Sequence, residues 1–213
     1  GALDWDIAAS VQNVTQTIIA NMADWLQQET GMTKLAYAGG VALNCVANTE
    51  ILKWTKFTDV AIQPAAGDAG CALGAAALLE RPKQFTPYLG VNASRGLHAN
   101  DYASRILKGE IVAVIEGQAE FGPRALGNRS LLCLPTDDNI KKLNKIKNRA
   151  EDSWRPYAPI CQKETADKWF HVTKACPYML HIAKIKSGPF NTYDNSARLQ
   201  VVSQDSNIFL WRI

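Results

Sequence analysis

Two groups of cations and one isolated carboxylate are the residues of this chain best suited to chemistry. Residues 117 to 135 carry Arg124 and Arg129 among Gly117, Gly122, Gly127, Pro123 and Glu120. A guanidinium is a planar fork of donors that matches phosphate or carboxylate, and glycines admit backbone conformations that a side chain forbids. Fixed cations among small residues describe a preformed anion site. They describe equally an ordinary strand-to-helix loop with a surface ion pair. Further on, Lys147, Arg149 and Arg155 lie in Lys147-Asn148-Arg149 and Trp154-Arg155-Pro156-Tyr157-Ala158-Pro159, where prolines and aromatics can hold a loop rigid. Lys141, Lys142 and Lys145 just before them need only be solvated.

The first half of the chain offers glycines in place of cations. Gly39-Gly40-Val41-Ala42-Leu43-Asn44 follows a short apolar run, a layout in which backbone N–H groups can approach a phosphate or nucleotide, although Gly-Gly also makes plain turns. Gly67-Asp68 stands at the start of an alanine-rich helix. Asp68 there either caps the helix by accepting its first N–H groups or ligates a metal held against phosphates.

The elements that must position these residues follow from periodicity. Ile7, Val11, Val14, Ile18, Met22, Trp25 and Leu26 recur at spacings of three and four, so Asp6 to Glu29 is an amphipathic helix with its Trp and Met toward a core, ended by Gly31. Residues 34–38 and 58–62 are strands, 41–53 a helix, and an alanine-rich helix runs to Leu79; its small side chains allow close packing. Alternating strands and helices imply an α/β layer with parallel strands. Residues 81 to 104 have no clear period and form a connection, with a domain boundary near residue 100. Ile111 to Ile115 is a buried strand, Asp137 to Asn148 a basic amphipathic helix, and strands recur near 180–185 and at 197–202, the last half-exposed.

Composition bounds the function. The chain has 213 residues, 47% hydrophobic and 20% charged, as in soluble globular proteins. A net charge of +3 with no basic run gives no reason to expect nucleic acid as a partner. No apolar run is long enough to span a membrane, and no signal peptide is visible. Cys45, Cys71, Cys133, Cys161 and Cys176 form no C-x-x-C pair, which fits reduced thiols in a cytoplasmic protein. The absence of an initiating Met and the apolar final residues suggest that both ends are cut.

Longer matches then come into view. Ala38-Gly39-Gly40-Val41-Ala42-Leu43-Asn44-Cys45-Val46-Ala47-Asn48 and Glu120-Phe121-Gly122-Pro123-Arg124-Ala125-Leu126-Gly127-Asn128-Arg129-Ser130 resemble core signatures of the NodU/CmcH/TobZ family of O-carbamoyltransferases. Gly67-Asp68-Ala69-Gly70, Lys147-x-Arg149, Arg155-Pro156-Tyr157-Ala158-Pro159, Pro177-Tyr178-Met179 and Ala197-Arg198-Leu199-Gln200 support the resemblance, which covers essentially the whole chain.

The resemblance implies an α/β chain in which residues 1–100 are the C-terminal half of an actin-like ATPase (ASKHA) domain and residues 101–213 are an incomplete α+β YrdC-like domain. It implies that carbamoyl phosphate and ATP form a carbamoyl-adenylate in the second part, and that the carbamoyl group passes to a hydroxyl of a small-molecule acceptor in the first. Arg124, Arg129, Lys147, Arg149 and Arg155 then surround the phosphates, since activation of two anions needs fixed cations more than covalent help. Gly39, Gly40, Val41, Asn44 and Gly67 hold the adenylate. Asp68 matches the position of a ligand to a divalent metal, iron-type or Mg.

The family's other metal ligands are a closely spaced histidine pair in the first half of the actin-like domain. His98, His171 and His181 have no such spacing, so none is assigned to the metal. A complementary N-terminal chain is the partner expected to supply that half. Thr192-Tyr193-Asp194-Asn195-Ser196-Ala197-Arg198 stands where the family commonly has His-Val-Asp-Gly-Thr-Ala-Arg. The alternatives are a non-catalytic fragment that binds nucleotide or a partner chain, and a relative of the enzymes that make threonylcarbamoyl-adenosine in tRNA.

Overall fold

The computed structural model describes residues 2–82, 85–93, 98–151, 153, 155–171, 177–186 and 196–202. It divides into two units, Gly1–Lys83 and Gln84–Ile213, and is mixed α/β throughout. Trp154, Cys176 and most of the departure at 192–195 lie outside the described residues.

In the first unit a long helix, α1 (Ala2–Thr30), is followed by β1 (Lys34–Tyr37), a 3-10 turn at Gly40–Leu43, α2 (Cys45–Trp54), β2 (Asp59–Ile62) and α3 (Ala69–Leu79). The strands β1 and β2 pair in parallel, Lys34 opposite Asp59 and Tyr37 opposite Ile62, as the alternating pattern predicts. Helix α2 makes the crossover that parallel pairing requires. It starts later than expected because Asn44 is extended and separates it from the 3-10 turn. Ala23, Ile51, Phe57 and Val60 form the core, with Leu35, Tyr37 and Ile62 of the strands packed against it.

Helix α1 has the predicted period but the opposite orientation. Ala20 and Ala23 face the core, while Ile7, Val11, Val14, Ile18, Met22 and Trp25 are exposed. Small residues let α1 approach α2 closely, and that contact decides which face turns inward; period alone does not. Helix α3 likewise buries none of its side chains, so the close packing expected of its alanines is not realised among the described residues.

The second unit opens with β3 (Tyr88–Ala93) and α4 (Ala99–Leu107), in the stretch expected to be a mere connection. The order then runs β4 (Val112–Ile115), β5 (Gly117–Glu120), β6 (Arg129–Leu132), α5 (Asp137–Ile146), β7 (Ile160–Gln162), α6 (Lys163–Trp169), β8 (Phe170–His171), β9 (Ile182–Ile185), β10 (Ser196–Arg198) and β11 (Gln200–Val202). Antiparallel pairs β3–β5 and β4–β6 flank the loop that carries Arg124, so that loop joins two strands and does not lead into a helix. The strand expected at 197–202 splits at Leu199: β10 joins β9, and β11 pairs in parallel with β7. Gln200, Val201 and Val202 are all buried, which corrects the half-exposed reading of their alternation.

Gly90 interrupts the apolar pattern of β3, so the segment does not read as a strand in the sequence. The reason for Gly90 is steric, since a Cβ built there would lie 2.7 Å from the Cβ of Ala119 on β5. Gly90→Ala should force the two strands apart and lower stability by about 1–3 kcal/mol, as overpacking does. Urea unfolding followed by circular dichroism would check it, with wild-type stability as the contrary result.

Candidate functional site

The stretch from 117 to 130 is organised by one carboxylate. Glu120, at the end of β5, accepts three backbone N–H bonds on a single oxygen, Oε1: from Leu126 at 2.7 Å, Asn128 at 2.8 Å and Arg129 at 3.2 Å. Three donors converge on that point because Gly117, Gly122 and Gly127 take positive φ of 60°, 123° and 115°, and so turn the chain in ways other residues resist. Asn128 adds a bond from Nδ2 to the Gln118 carbonyl, and the Gly127 N–H donates to Ser130 Oγ.

Arg129 completes the frame. Its Nη1 donates to the carbonyls of Glu116, Gly117 and Asn128, and its Nη2 to those of Val91 and Gly117. A guanidinium held by carbonyls of β3 and β5 braces the loop and has little donor capacity left for an anion. Arg124 is half-buried in the same loop.

The carbonyl of Leu126 receives the Tyr88 hydroxyl at 3.2 Å and Gln200 Nε2 at 2.9 Å. Gln200 is only 2% exposed, and its own N–H donates to the Pro159 carbonyl. One residue thus ties the Arg124 loop to the segment that carries Arg155. Burial, helped by the negative charge of Glu120, pushes the Tyr88 phenol well above its ordinary value.

The second cation group is set by the end of α5. Lys147 closes the helix, and Asn148 takes a left-handed φ of 51°. That turn returns the chain so that the Arg149 N–H reaches the Asn144 carbonyl at 2.8 Å. Buried Asn144 accepts the Tyr157 hydroxyl at 2.8 Å and donates to the Glu151 carbonyl. The Arg149 guanidinium lies 5.7 Å from the Tyr157 ring centre and donates to its hydroxyl at 3.4 Å. Lys147 and Arg155 are exposed. Lys142 is paired with Asp138 at 2.6 Å, which holds that carboxyl below its usual range. A groove of about 470 Å3 beside Lys142 and Lys145 touches none of the predicted site residues.

In the first unit the predicted glycines meet at the carboxyl ends of β1 and β2. Gly39 takes φ 109°, and its N–H donates to Ala66 O at 2.8 Å. A Cβ at Gly39 or Gly40 would face open space, whereas one at Gly67 would lie 3.8 Å from Gly40 Cα. The three glycines thus lie close together, with open space beside Gly39 and Gly40. Val41 is exposed beside it. Asn44, expected to hydrogen-bond a nucleotide, instead caps α2 through the Ala47 N–H and exchanges amide bonds with Gln12 of α1.

Asp68 stands at the start of α3 in αR conformation with no capping hydrogen bond, so the structural role weighed for it is not the one adopted. Its carboxylate is exposed, yet no group of three metal-ligating side chains exists among the described residues. His98 and His171 are exposed and His181 is buried.

Glu120, Gln200, Asn144, Tyr157, Tyr88 and Gln12 are the organising residues that pattern reading did not single out. Glu120, Tyr157 and Gln200 fall inside the quoted motifs. The others bond partners distant in sequence, so nothing local marks them.

Comparison with known proteins places both units. Residues 2–77 match a family described as carbamoyltransferase N-terminus, and residues 103–213 one described as carbamoyltransferase C-terminus. Nodulation protein NolO of Bradyrhizobium diazoefficiens is 33% identical across 98% of this chain and 45% of its own length. A 3'-hydroxymethylcephem-O-carbamoyltransferase of Streptomyces clavuligerus is 33% identical across 97% of the chain and 44% of its own. Nodulation protein U of Sinorhizobium fredii is 33% identical, with 94% and 40% covered. The chain spans less than half the length of these relatives.

Two outcomes follow from the geometry. Glu120→Ala leaves the N–H groups of Leu126, Asn128 and Arg129 without their acceptor and should cost roughly 1.5–3 kcal/mol. Glu120→Gln keeps an acceptor oxygen and should cost less; equal losses in denaturant titrations would refute this account of the loop. Tyr88 has a folded-state pKa raised above its unfolded value, so its contribution is complete below about pH 10 and lost as pH rises beyond that. Unfolding midpoints measured from about pH 9 to 11 should therefore fall, and Tyr88→Phe should flatten the decline.

Proposed function

Because this chain belongs to the carbamoyltransferase family, we propose that it is part of an ATP-dependent O-carbamoyltransferase acting on a hydroxyl-bearing small molecule. The observation that carries this reading is Gln200, which holds the Arg124 loop and the Arg155 segment to one another within a unit that also fixes Arg149 against Tyr157. Cations fixed in this way suit two strongly anionic substrates, carbamoyl phosphate and ATP, whose activation is mostly positioning and charge stabilisation.

In this reading the second unit is YrdC-like and forms carbamoyl-adenylate. Carbamoyl phosphate reacts with water to give phosphate and carbamate, and the carbamate oxygen takes the adenylyl group of ATP as pyrophosphate leaves. Arg124, Lys147, Arg149 and Arg155 face the phosphates, and Arg129 holds the loop. The first unit belongs to an actin-like ATPase domain. Gly39, Gly40, Val41 and Gly67 give the adenylate a surface free of side-chain bulk, and Asn44 keeps the 3-10 turn and α2 in register beneath it. The acceptor oxygen then bonds the carbamoyl carbon, releasing AMP and a proton.

Asp68 is the one metal ligand offered here. A single carboxylate does not hold a divalent ion by itself, so the remaining ligands would come from the part of the longer relatives not matched here, and the ion would supply a Lewis acid for carbamoyl transfer. A cytoplasmic location suits ATP chemistry. Among the described residues no helix is long and apolar enough to cross a membrane.

The test uses the full-length protein. Pyrophosphate release from ATP should depend on added carbamoyl phosphate, and Arg124→Ala or Lys147→Ala should reduce it by about 100-fold or more. Both variants should retain transfer from supplied carbamoyl-adenylate, while Asp68→Ala should lose transfer and keep adenylate formation. Pyrophosphate release independent of carbamoyl phosphate, or all three variants failing in the same half-reaction, overturns the proposal.

A further inference from the structure

The cations that follow α5 are not held alike. Lys147 and Arg155 are exposed, and neither has a side-chain bond among the described residues. Arg149 is half-buried, with its guanidinium 5.7 Å from the Tyr157 ring centre and Nη1 donating to the Tyr157 hydroxyl at 3.4 Å. Among the described residues no carboxylate pairs with it. A guanidinium has five N–H donors and no acceptor. Its side chain spends one donor on the tyrosine among the described residues, which leaves the others to meet an anion.

The bonds behind Arg149 run in an order that chemistry dictates. Arg149 can only donate, so the Tyr157 hydroxyl accepts from it and gives its own proton elsewhere. That proton goes to Asn144 Oδ1 at 2.8 Å. Asn144 presents its oxygen there because Nδ2, the other end of the amide, donates to the Glu151 carbonyl at 3.0 Å. Asn144 is 0% exposed, so a lost partner leaves an unsatisfied group inside the protein. Its carbonyl also accepts the Arg149 N–H at 2.8 Å, an approach that follows from Asn148 at φ 51°, a conformation Asn tolerates better than most residues. Asn144 thus fixes Arg149 at both ends, the backbone directly and the guanidinium through the tyrosine. The bond between Asn144 and Tyr157 would anchor the loop by itself; the guanidinium adds a charge in a set place.

We infer that Tyr157 is a positioning residue for Arg149, its hydroxyl holding the guanidinium in one orientation before a phosphate-bearing substrate binds. The inference rests on the reading that Arg149 contacts carbamoyl phosphate or ATP, and adds to it how that cation is made ready. An arginine free in solvent loses rotamer freedom when it grips an anion, and one already held loses less. For a single side chain the difference is about three- to tenfold in affinity.

The test measures the affinity of the full-length protein for ATP and for carbamoyl phosphate, each by isothermal titration calorimetry. Arg149→Ala should weaken the binding of at least one of them. Tyr157→Phe keeps the ring and removes the hydroxyl. It should weaken binding of that same ligand by about three- to tenfold while circular dichroism stays at the wild-type level. In the Arg149→Ala background Tyr157→Phe should change nothing further, because the hydroxyl acts through the guanidinium. Loss of a loop anchor alone would lower affinity equally in both backgrounds. An affinity that Tyr157→Phe leaves intact, or lowers equally with and without Arg149, overturns the positioning inference and leaves the phosphate role of Arg149 standing. Binding of both ligands unchanged by Arg149→Ala overturns that role and the inference with it.

Discussion

One carboxylate oxygen decides the shape of the segment on which this chain's candidate chemistry depends. Glu120 Oε1 collects three N–H groups of residues 126 to 129, and its charge strengthens each of these bonds relative to neutral acceptors. Around this point Arg129 clasps carbonyls of β3 and β5, and Tyr88 and Gln200 both reach the Leu126 carbonyl. A short acidic side chain among glycines thus does what a longer apolar core does elsewhere, fixing backbone through polar bonds. The resulting frame is stiff because nearly every donor and acceptor in it has a partner, and a partly satisfied network would be worse than none.

Much of the fold was legible where the signal is local. The parallel pair β1–β2, helix α5 and the glycines of the Arg124 loop were readable from period and residue type, because each depends on neighbours a few positions away. The inversion of α1 was not, since an amphipathic period states that two faces differ and leaves open which one finds a partner. The loss of β3 had a similar origin: Gly90 looks like a break in a strand, and only the approach of Ala119 explains it. The split at Leu199 was hidden because six residues of strand-like sequence serve two different sheets.

The candidate site was legible in its residue types and less so in their division of labour. Arg124 and Arg129 look equivalent in sequence, five positions apart in the same motif. The structure separates them, with Arg129 turned to main-chain carbonyls. Asn44 shifted in the same direction, from a ligand contact to a cap shared with Gln12. In both cases the polar side chain nearest the glycines maintains the backbone that the glycines shape. The residues of greatest structural consequence, Gln200 and Asn144, act through bonds spanning 74 and 13 positions respectively, beyond any motif window.

Helix α3 has a meaning for the life of the protein in a cell. Eleven apolar residues standing in water resemble the exposed segments by which chaperones and proteases recognise unfinished proteins. Exposed apolar surface of this kind favours association over solvation, and covering it removes that tendency.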